Sequence, residues 1–353
     1  MLMGVAGVHG DAEPPAANGD LEGAAPARLG AYDLFEDPSR QTPRDGVLPY
    51  GLSSELFSDH AVKHRFVRMP KHFSAQYRHR EVFDFPEGTL LVKTFGFLRD
   101  ERDPSQGERL VETRLLIRTP SGWAMLPYVW NEDGADARLA VAGARVPVTW
   151  IDRHGEQRSL KYVVPNMNQC KHCHVESGVA QPIGPKARYL NYEYAYATGV
   201  ENQLDRWIRA GLLSGLRNSA DAPKAPRWDD PASGSIAERA RAYLDINCAH
   251  CHNPSGPAYT SGLDLSYDQT IPVRIGIRKA PVAAGRGASV GRYDIEPGNP
   301  DASILLHRLT STDPGVRMPT VGRSLVHEEG AELIREWIES MPCNPPATVD
   351  PLR

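Results

Sequence analysis

Thr89-Leu-Leu-Val-Lys-Thr-Phe-Gly-Phe97 opens the stretch that decides the fold. It is the first of five runs rich in β-branched and aromatic residues, and the other four are 110–118, 122–130, 145–151 and 159–164. Turn residues such as Asp103-Pro104 and Asp133-Gly134 separate them. Such runs predict strands, and their spacing predicts an antiparallel β-sandwich of roughly six or more strands.

The strand pattern stops at Pro165, and apolar residues then recur at helical spacing. Three segments carry that spacing: 199–216, 235–246 and 332–341. The second opens with Ser235, a capping-type residue. We therefore predict a multidomain chain in which the N-terminal β-sandwich is followed by mainly α-helical regions.

Composition limits the partners. The 353 residues have a formal net charge of −4 with acids and bases interspersed, which argues against a duplex nucleic-acid binder. No window approaches eighteen consecutive apolar residues, so no membrane-spanning helix is expected.

The first residues, Met1-Leu-Met-Gly-Val-Ala-Gly-Val8, look like the tail of an apolar signal core, although the basic segment that precedes such a core is missing. We interpret them as the remnant of a truncated export signal. A disordered leader rich in Ala, Pro and Gly is the alternative.

Four of the five cysteines fall in two short strings, Cys170-Lys-His-Cys-His174 and Cys248-Ala-His-Cys-His252. Cys-X-X-Cys-His is the pattern of c-type haem attachment, in which two thiols add to the two vinyl groups and the adjacent histidine coordinates the iron. We therefore expect two covalently bound haem c groups. One is held by Cys170, Cys173 and His174, and the other by Cys248, Cys251 and His252.

Two other uses of the strings are weaker. A zinc site would take two cysteines plus histidines, including the inner His172 and His250, but zinc ligands need no histidine directly after the second cysteine. A thioredoxin-like redox pair needs a βαβ pattern that the sequence lacks. We expect His172 and His250 to face solvent as spacers.

Met318 lies in the irregular segment Pro314-Gly-Val-Arg-Met-Pro319. A thioether is a suitable sixth ligand for haem iron, and it favours electron transfer. We predict that Met318 ligates the second iron, with His307 as the fallback. A methionine that only fills a core is the alternative.

The first haem has no equivalent partner nearby, because neither Met nor His occurs between Val175 and Asn247. The β-domain then donates the sixth ligand, the iron is five-coordinate, or an unusual ligand such as Lys186 or Tyr189 is used. The candidate donors from the β-domain are Met69, Met125, Met167, His60, His64, His72, His79 and His154.

These segments define the domains that we expect. Residues 1–45 are a disordered leader or signal remnant and 46–164 the β-sandwich domain. The first haem-binding region is 165–220, the linker is 221–232, and the second haem domain is 233–345.

The region from Ser235 to Met341 resembles class I-like c-type cytochrome domains, through the helix before Cys248, Gly262-Leu-Asp-Leu265, Met318-Pro319 and the final helix. From about Tyr50 onward the chain resembles a family of bacterial dihaem cytochromes with an N-terminal β-domain. The matching segments are Leu56-Phe-Ser-Asp59, Tyr128-Val-Trp-Asn131, Pro182-Ile-Gly-Pro-Lys-Ala-Arg-Tyr-Leu-Asn191 and Glu201-Asn-Gln-Leu204. The resemblance implies that His252 and Met318 are an axial pair.

The leading hypothesis is one-electron transfer between periplasmic redox proteins, because covalent haem attachment in bacteria normally occurs outside the cytoplasmic membrane. The alternative is a peroxidase-like dihaem oxidoreductase in which the first haem is an open catalytic site. A module that binds carbohydrate or protein has only fold analogy in its favour.

Two features remain outside these hypotheses. Cys343 is an odd cysteine, either a free surface thiol or a partner in an intermolecular disulfide. A basic stretch carries His60, His64, His72 and His79 among lysines and arginines. It is either a solvated face or a docking patch for haem propionates or an acidic redox partner.

Overall fold

The computed structural model describes residues 25–283 and 285–343. Its strands are short except in one central sheet. In chain order they are β1 (Phe35–Asp37), β2 (Thr42–Pro43), β3 (Leu48–Tyr50), β4 (Val62–Arg68), β5 (Ala75–Gln76), β6 (Leu90–Leu98), β7 (Glu108–Thr119), β8 (Gly122–Trp130), β9 (Ala137–Leu139), β10 (Ala144–Ile151), β11 (Gln157–Val164), β12 (Val175–Glu176), β13 (Val179–Ala180), β14 (Glu193–Tyr196), β15 (Gly199–Asn202) and β16 (Leu213–Ser214).

The helices lie almost entirely in the second half of the described chain. They are α1 (Met167–Cys170), α2 (Ala187–Leu190), α3 (Gln203–Arg209), α4 (Ile236–Leu244), α5 (Pro272–Ile275), α6 (Ile304–Thr310) and α7 (Glu328–Glu339). A π-helical segment, Asp245–Ala249, continues α4. Within the described ranges, none of these helices has the length and apolar character needed to cross a membrane.

The central sheet is antiparallel with the order β3-β4-β6-β7-β8-β9. Successive side chains of each strand point to opposite faces. One face is apolar and packs under the segment that precedes β3; its members include Phe66, Leu90, Leu115, Leu126 and Tyr128, which meet Leu29, Leu34 and Phe35. Residues 25–45, assigned to a disordered leader from the sequence, are therefore part of the β-domain. The signal-like residues 1–8 lie outside the described part.

The opposite face has two covers. The β10–β11 hairpin covers one end, where Phe97 of the sheet packs against Trp150 and Tyr162 of the hairpin. The region after Pro165 covers the other end, where Leu91, Leu116 and Met125 join a core with Cys170 and Trp207. The five predicted strands are present, but the sheet is not paired with a second large sheet.

The region that follows β11 is built from short pieces. Hairpins β12–β13 and β14–β15 alternate with α1, α2 and α3, and β16 pairs in parallel with β5 of the β-domain. The predicted helix over 199–216 is shorter than expected, because Gly199–Asn202 is a strand and the helix ends at Arg209. The 221–232 linker also packs: Ala225 is buried and its amide donates to the Arg188 carbonyl at 3.0 Å.

The last region packs α4 against α7. Leu244 of α4 is buried with Ile334, Trp337 and Ile338 of α7, so both predicted amphipathic helices are confirmed. Between them lie mostly loops and single turns, apart from the seven-residue α6, since Gly and Pro recur every few residues from 254 to 300 and interrupt helices. The prediction of a β-sandwich followed by mainly α-helical cytochrome regions is therefore wrong. The described residues are 23% helix and 28% strand, with their strands in several sheets.

Candidate functional site

Both Cys-X-X-Cys-His strings fold into the same turn. In each, the second cysteine and the histidine donate their backbone N–H groups to the carbonyl of the first cysteine. The N···O distances are 3.2 and 3.1 Å at Cys170 and 3.0 and 2.9 Å at Cys248. The turn therefore holds two thiols and one imidazole in one compact unit at both places.

The first turn follows a single helical turn, α1. Asn166 caps it: the Asn166 side chain accepts from the Gln169 amide at 2.8 Å, and the Gln169 side chain accepts from the Asn166 amide at 3.0 Å. This reciprocal capping box satisfies two backbone donors that a short helix leaves free. Cys170 is consequently placed at the helix end, buried in the core under the central sheet.

The second turn follows a longer support, α4 and its π-helical extension. Two side chains of the extension anchor it: Asp245 accepts from the Tyr267 amide and Asn247 from the Phe57 amide, each at 2.8 Å. Phe57 belongs to the β-domain. The second motif is therefore tied to that domain as well as to its own helix.

His174 is oriented by a hairpin that directly follows its motif. Its Nδ1–H donates to the carbonyl of Gln181, the residue after β13, at 2.8 Å. Among the described residues no polar atom bonds Nε2. Burial lowers the pKa of His174 to about 4, which keeps the imidazole neutral. A neutral imidazole with Nδ1 engaged presents Nε2 as a metal ligand.

His252 has the same arrangement with a different acceptor. Its Nδ1 lies 3.0 Å from the Ser261 hydroxyl, which itself donates to the Ala258 carbonyl and therefore accepts from the imidazole. Burial lowers the pKa of His252 to about 4. Its Nε2 has no hydrogen-bond partner within the ranges that the structure covers.

The two motifs touch each other. Cys251 Sγ donates to the His172 carbonyl at 3.4 Å, and ligand atoms of Cys173, His250 and Cys251 all lie within 4.8 Å of one another. A hydrogen bond between the two thiols lowers the pKa of Cys173 and raises that of Cys251. No sequence pattern indicates that the strings meet, because 77 residues separate these two cysteines.

The inner histidines differ. His172 is exposed, as expected of a spacer. His250 is partly buried, and its Nδ1 is buried without a hydrogen-bond partner. It lines a cleft beside His174. The expectation that His250 faces solvent is wrong, because the contact with the first motif covers it.

That cleft separates the central sheet from the first motif. It reaches Cys170, Cys173 and His174. Most of its wall is apolar, including Leu52, Leu56, Leu116, Pro182, Ile183 and Pro185. Sites for cofactors are mostly apolar clefts with a few polar groups. The apolar lining, the two thiols and the free Nε2 of His174 are the groups that would hold a haem at this position.

Comparisons with protein-family models, with curated proteins and with solved structures found no match for this chain.

The sheet side of the cleft carries a cationic row that the sequence did not single out. Arg65, Lys93 and Arg114 are direct neighbours across β4, β6 and β7, so their side chains share the face that lines the cleft. Alternation places each on this face, but only the strand register brings the three together.

Met318 lies at the end of a loop beside α6. Its amide donates to the Arg308 carbonyl at 3.0 Å, and its side chain is partly buried. Arg308 is close enough to His252 to help lower the pKa of that imidazole. His307 is partly buried on α6. The residues that follow Met318, namely Pro319, Val321 and Gly322, line the cleft beside His174. Ligation of an iron by Met318 stays a prediction.

Of the sixth-ligand candidates for the first haem, Met125 lines the cleft. Tyr189 is buried and donates to Asp245, which commits its hydroxyl elsewhere. The other candidates are absent from the cleft lining. They are Met69, Met167, Lys186, His60, His64, His72, His79 and His154.

The basic stretch does not form one surface. Lys63 and Arg65 pair with Glu55, whereas Arg78 pairs with Asp84 on another part of the chain. Only its Arg65 reaches the cleft. Cys343 is exposed and forms no disulfide within the described residues.

Proposed function

We propose that the chain is an exported c-type cytochrome of the bacterial dihaem kind that its sequence resembles. In this proposal it transfers single electrons between redox proteins in the periplasm. One observation carries the proposal. Both motifs have the same turn, and both histidines engage Nδ1 with a downstream acceptor and present Nε2. That is how a protein orients an imidazole toward iron.

At each motif, the cysteines attach the haem and a separate residue orients the histidine. Cys170 and Cys173 hold one haem and Cys248 and Cys251 the other, each through two thioether bonds. The Gln181 carbonyl and the Ser261 hydroxyl fix the orientation of His174 and His252. Bound haem supplies an iron that exchanges one electron, and its potential depends on the axial ligands and on burial.

The contact between Cys173 and Cys251 supports a relay. Groups attached at these two sulfurs start from neighbouring points of the chain, so electrons need not cross a protein layer between them. A zinc site made from the same atoms is a weaker proposal. Structural zinc takes four ligands, and among the described residues no fourth His, Cys or carboxylate joins Cys173, His250 and Cys251.

We propose that a methionine sulfur would help to hold each iron. Met318 would do so at the second haem, and Met125 of the β-domain, which lines the cleft, would do so at the first. Met opposite His raises the potential and favours electron transfer.

An oxidoreductase is the second candidate, because the cleft beside His174 also contains His250 and Lys93. These groups can exchange protons with a small ligand held there. This activity requires an open coordination position at the first iron.

A pyridine haemochrome assay on the exported full-length chain tests the main proposal, and we expect two covalent haems per chain. Fewer than two would overturn it. EPR and cyanide titration then separate the two candidates. Two low-spin ferric irons that do not bind cyanide support the electron carrier, whereas one high-spin, cyanide-binding iron supports the oxidoreductase.

A further inference from the structure

The cationic row lies beside an apolar row on the same sheet face. On one side Val67, Leu91 and Leu116 form an apolar row that continues to Met125. The cationic row is Arg65, Lys93 and Arg114. Three cations side by side on a sheet repel one another, and such a row is unfavourable without compensating charge.

Compensation by the protein itself is incomplete. Glu55 accepts from Arg65 at 2.5 Å and also pairs with Lys63 at 3.4 Å. Glu112 binds Arg114 through two bonds, at 2.6 and 2.9 Å. Within the described residues, Lys93 forms no ion pair or hydrogen bond through its ammonium. Its Nζ lies 4.7 Å from the centre of the Phe95 ring, a weak substitute for an anion.

Arg65 also lacks an acceptor for one of its donor groups. Its side chain is 4% exposed, and its Nη2 is buried without a hydrogen-bond partner although the residue lines the cleft. A buried donor without an acceptor destabilises the fold unless something in the cleft supplies the acceptor.

The local charges can be counted. With Lys93 protonated, four described cations, Lys63, Arg65, Lys93 and Arg114, stand against two described acids, Glu55 and Glu112, which leaves an excess of two positive charges. Burial, together with Arg65 and Arg114, holds the pKa of Lys93 well below its ordinary value. An ammonium in this position is stabilised by an anion beside it.

We propose that the sheet-side wall of the cleft, Arg65, Lys93 and Arg114, is a binding site for two negative charges carried by carboxylate or oxyanion groups. Two sources have this chemistry: the propionates of a haem held at Cys170 and Cys173, and a free oxyanion that enters the cleft. Only the first source rests on the proposed function.

Lys93→Gln is the test variant, because it removes the charge that has no acid partner. Lys161→Gln is the matched control, since Lys161 is an exposed lysine on β11, away from the cleft. Lys93→Met is a second variant, in case the glutamine variant fails to fold. Each full-length protein is titrated with inorganic phosphate while thermal unfolding is followed, and the reduction potentials of its haems are measured.

A free oxyanion as ligand predicts that phosphate stabilises the parent protein and that Lys93→Gln raises the half-saturating concentration about tenfold, as loss of a charged hydrogen bond would. Haem propionates as ligand predict no phosphate effect. In that case Lys93→Gln makes one haem several-fold more oxidised at a given ambient potential, because a nearby cation favours the reduced state. Lys161→Gln changes neither measurement.

If Lys93→Gln and Lys93→Met match the control in both measurements, the anion site does not exist. That outcome would not affect a count of two haems per chain, so the proposed function would still hold. A count below two overturns the proposed function, and the phosphate titration still decides whether the wall binds an oxyanion.

Discussion

The two Cys-X-X-Cys-His turns have the same backbone hydrogen bonds but different surroundings. The turn at Cys170 follows one helical turn and faces a cleft whose other wall is the central sheet. The turn at Cys248 follows α4 and its π-helical extension and lies beside the core formed by α4 and α7. The first site is thus shared between two parts of the chain, whereas the second is mostly made by its own region.

This difference shows what a short motif determines. Five residues are enough to fix the turn and the histidine, because those hydrogen bonds are local. The opposite side of each site is supplied by whatever the chain packs there. At Cys170 that is a sheet with a cationic row, and at Cys248 it is the core formed by α4 and α7.

The largest expected effect comes from removing either pair of cysteines. The double variant Cys170→Ser/Cys173→Ser and the double variant Cys248→Ser/Cys251→Ser should each lose one of two covalent haems, because thioether formation needs the thiols. The haemochrome absorbance per chain then falls to about half. Cys343→Ser is the control and should keep both. Full absorbance in either double variant would contradict the assignment of that motif.

Met318→Leu should affect the second site alone. Replacing sulfur at the sixth position should lower one of the two potentials by about 0.1–0.3 V, within the roughly 0.8 V range that axial ligands span. The sulfur-to-iron absorption of that haem should disappear. The matched variant His307→Gln should leave both properties unchanged. The reverse result would identify His307 as the ligand.

Met125→Leu is the corresponding test of the first site, and its effect should be confined to the first haem. Leucine nearly conserves volume, so the fold should tolerate it, but it offers no ligand atom. EPR should show one haem become high-spin. Met69→Leu is the control, because Met69 is buried in the same core but does not line the cleft. Unchanged spectra in Met125→Leu would mean that another group or none ligates the first iron.

The smallest effect concerns the contact between the β-domain and the last region, which contains α4 and α7. His327 stacks on Phe57, with ring centroids 4.3 Å apart, and burial lowers its pKa to about 3 from 6.5. Below pH 6.5 the unfolded chain binds a proton that folded His327 does not. The free energy of unfolding therefore falls as the pH drops from about 6.5 toward 4, by up to about 1.4 kcal/mol per pH unit from this group.

His327→Phe keeps an aromatic ring against Phe57 but removes the titration. Denaturant unfolding of both proteins between pH 4 and pH 7 should show a shallower pH dependence in the variant. Its stability at pH 7 should be about 1 kcal/mol lower, because Tyr243 loses its hydrogen bond to His327. Parallel pH curves for the two proteins would show that His327 does not cause the pH dependence of the free energy of unfolding.

The sequence was a good guide to local structure. The five runs of β-branched and aromatic residues all form strands, and Ser235 begins α4 with a reciprocal capping box to Glu238. These features depend on residues that are close in the sequence, so they can be predicted from one sequence alone. The fold class was wrong because apolar spacing identified α4 and α7 and was extended across the Gly- and Pro-rich loops between them.

The functional surroundings were mostly beyond sequence reasoning. Arg65, Lys93 and Arg114 come from three strands, and only the pairing of β4 with β6 and of β6 with β7 makes them neighbours. The burial of His250 depends on contact with a motif 77 residues earlier. One available signal was the lysine inside the apolar run 89–97, a charged residue in a strand that is otherwise suited to a core.

The contact between Cys173 and Cys251 also bears on how the protein is made. Under the proposed function the chain is exported unfolded to an oxidising compartment, where two thiols as close as these are in the folded protein would join as a disulfide. Such a cross-link would consume one attachment thiol from each motif and block both haems at once. The proposed function therefore requires that the porphyrins are attached while the two motifs are still apart.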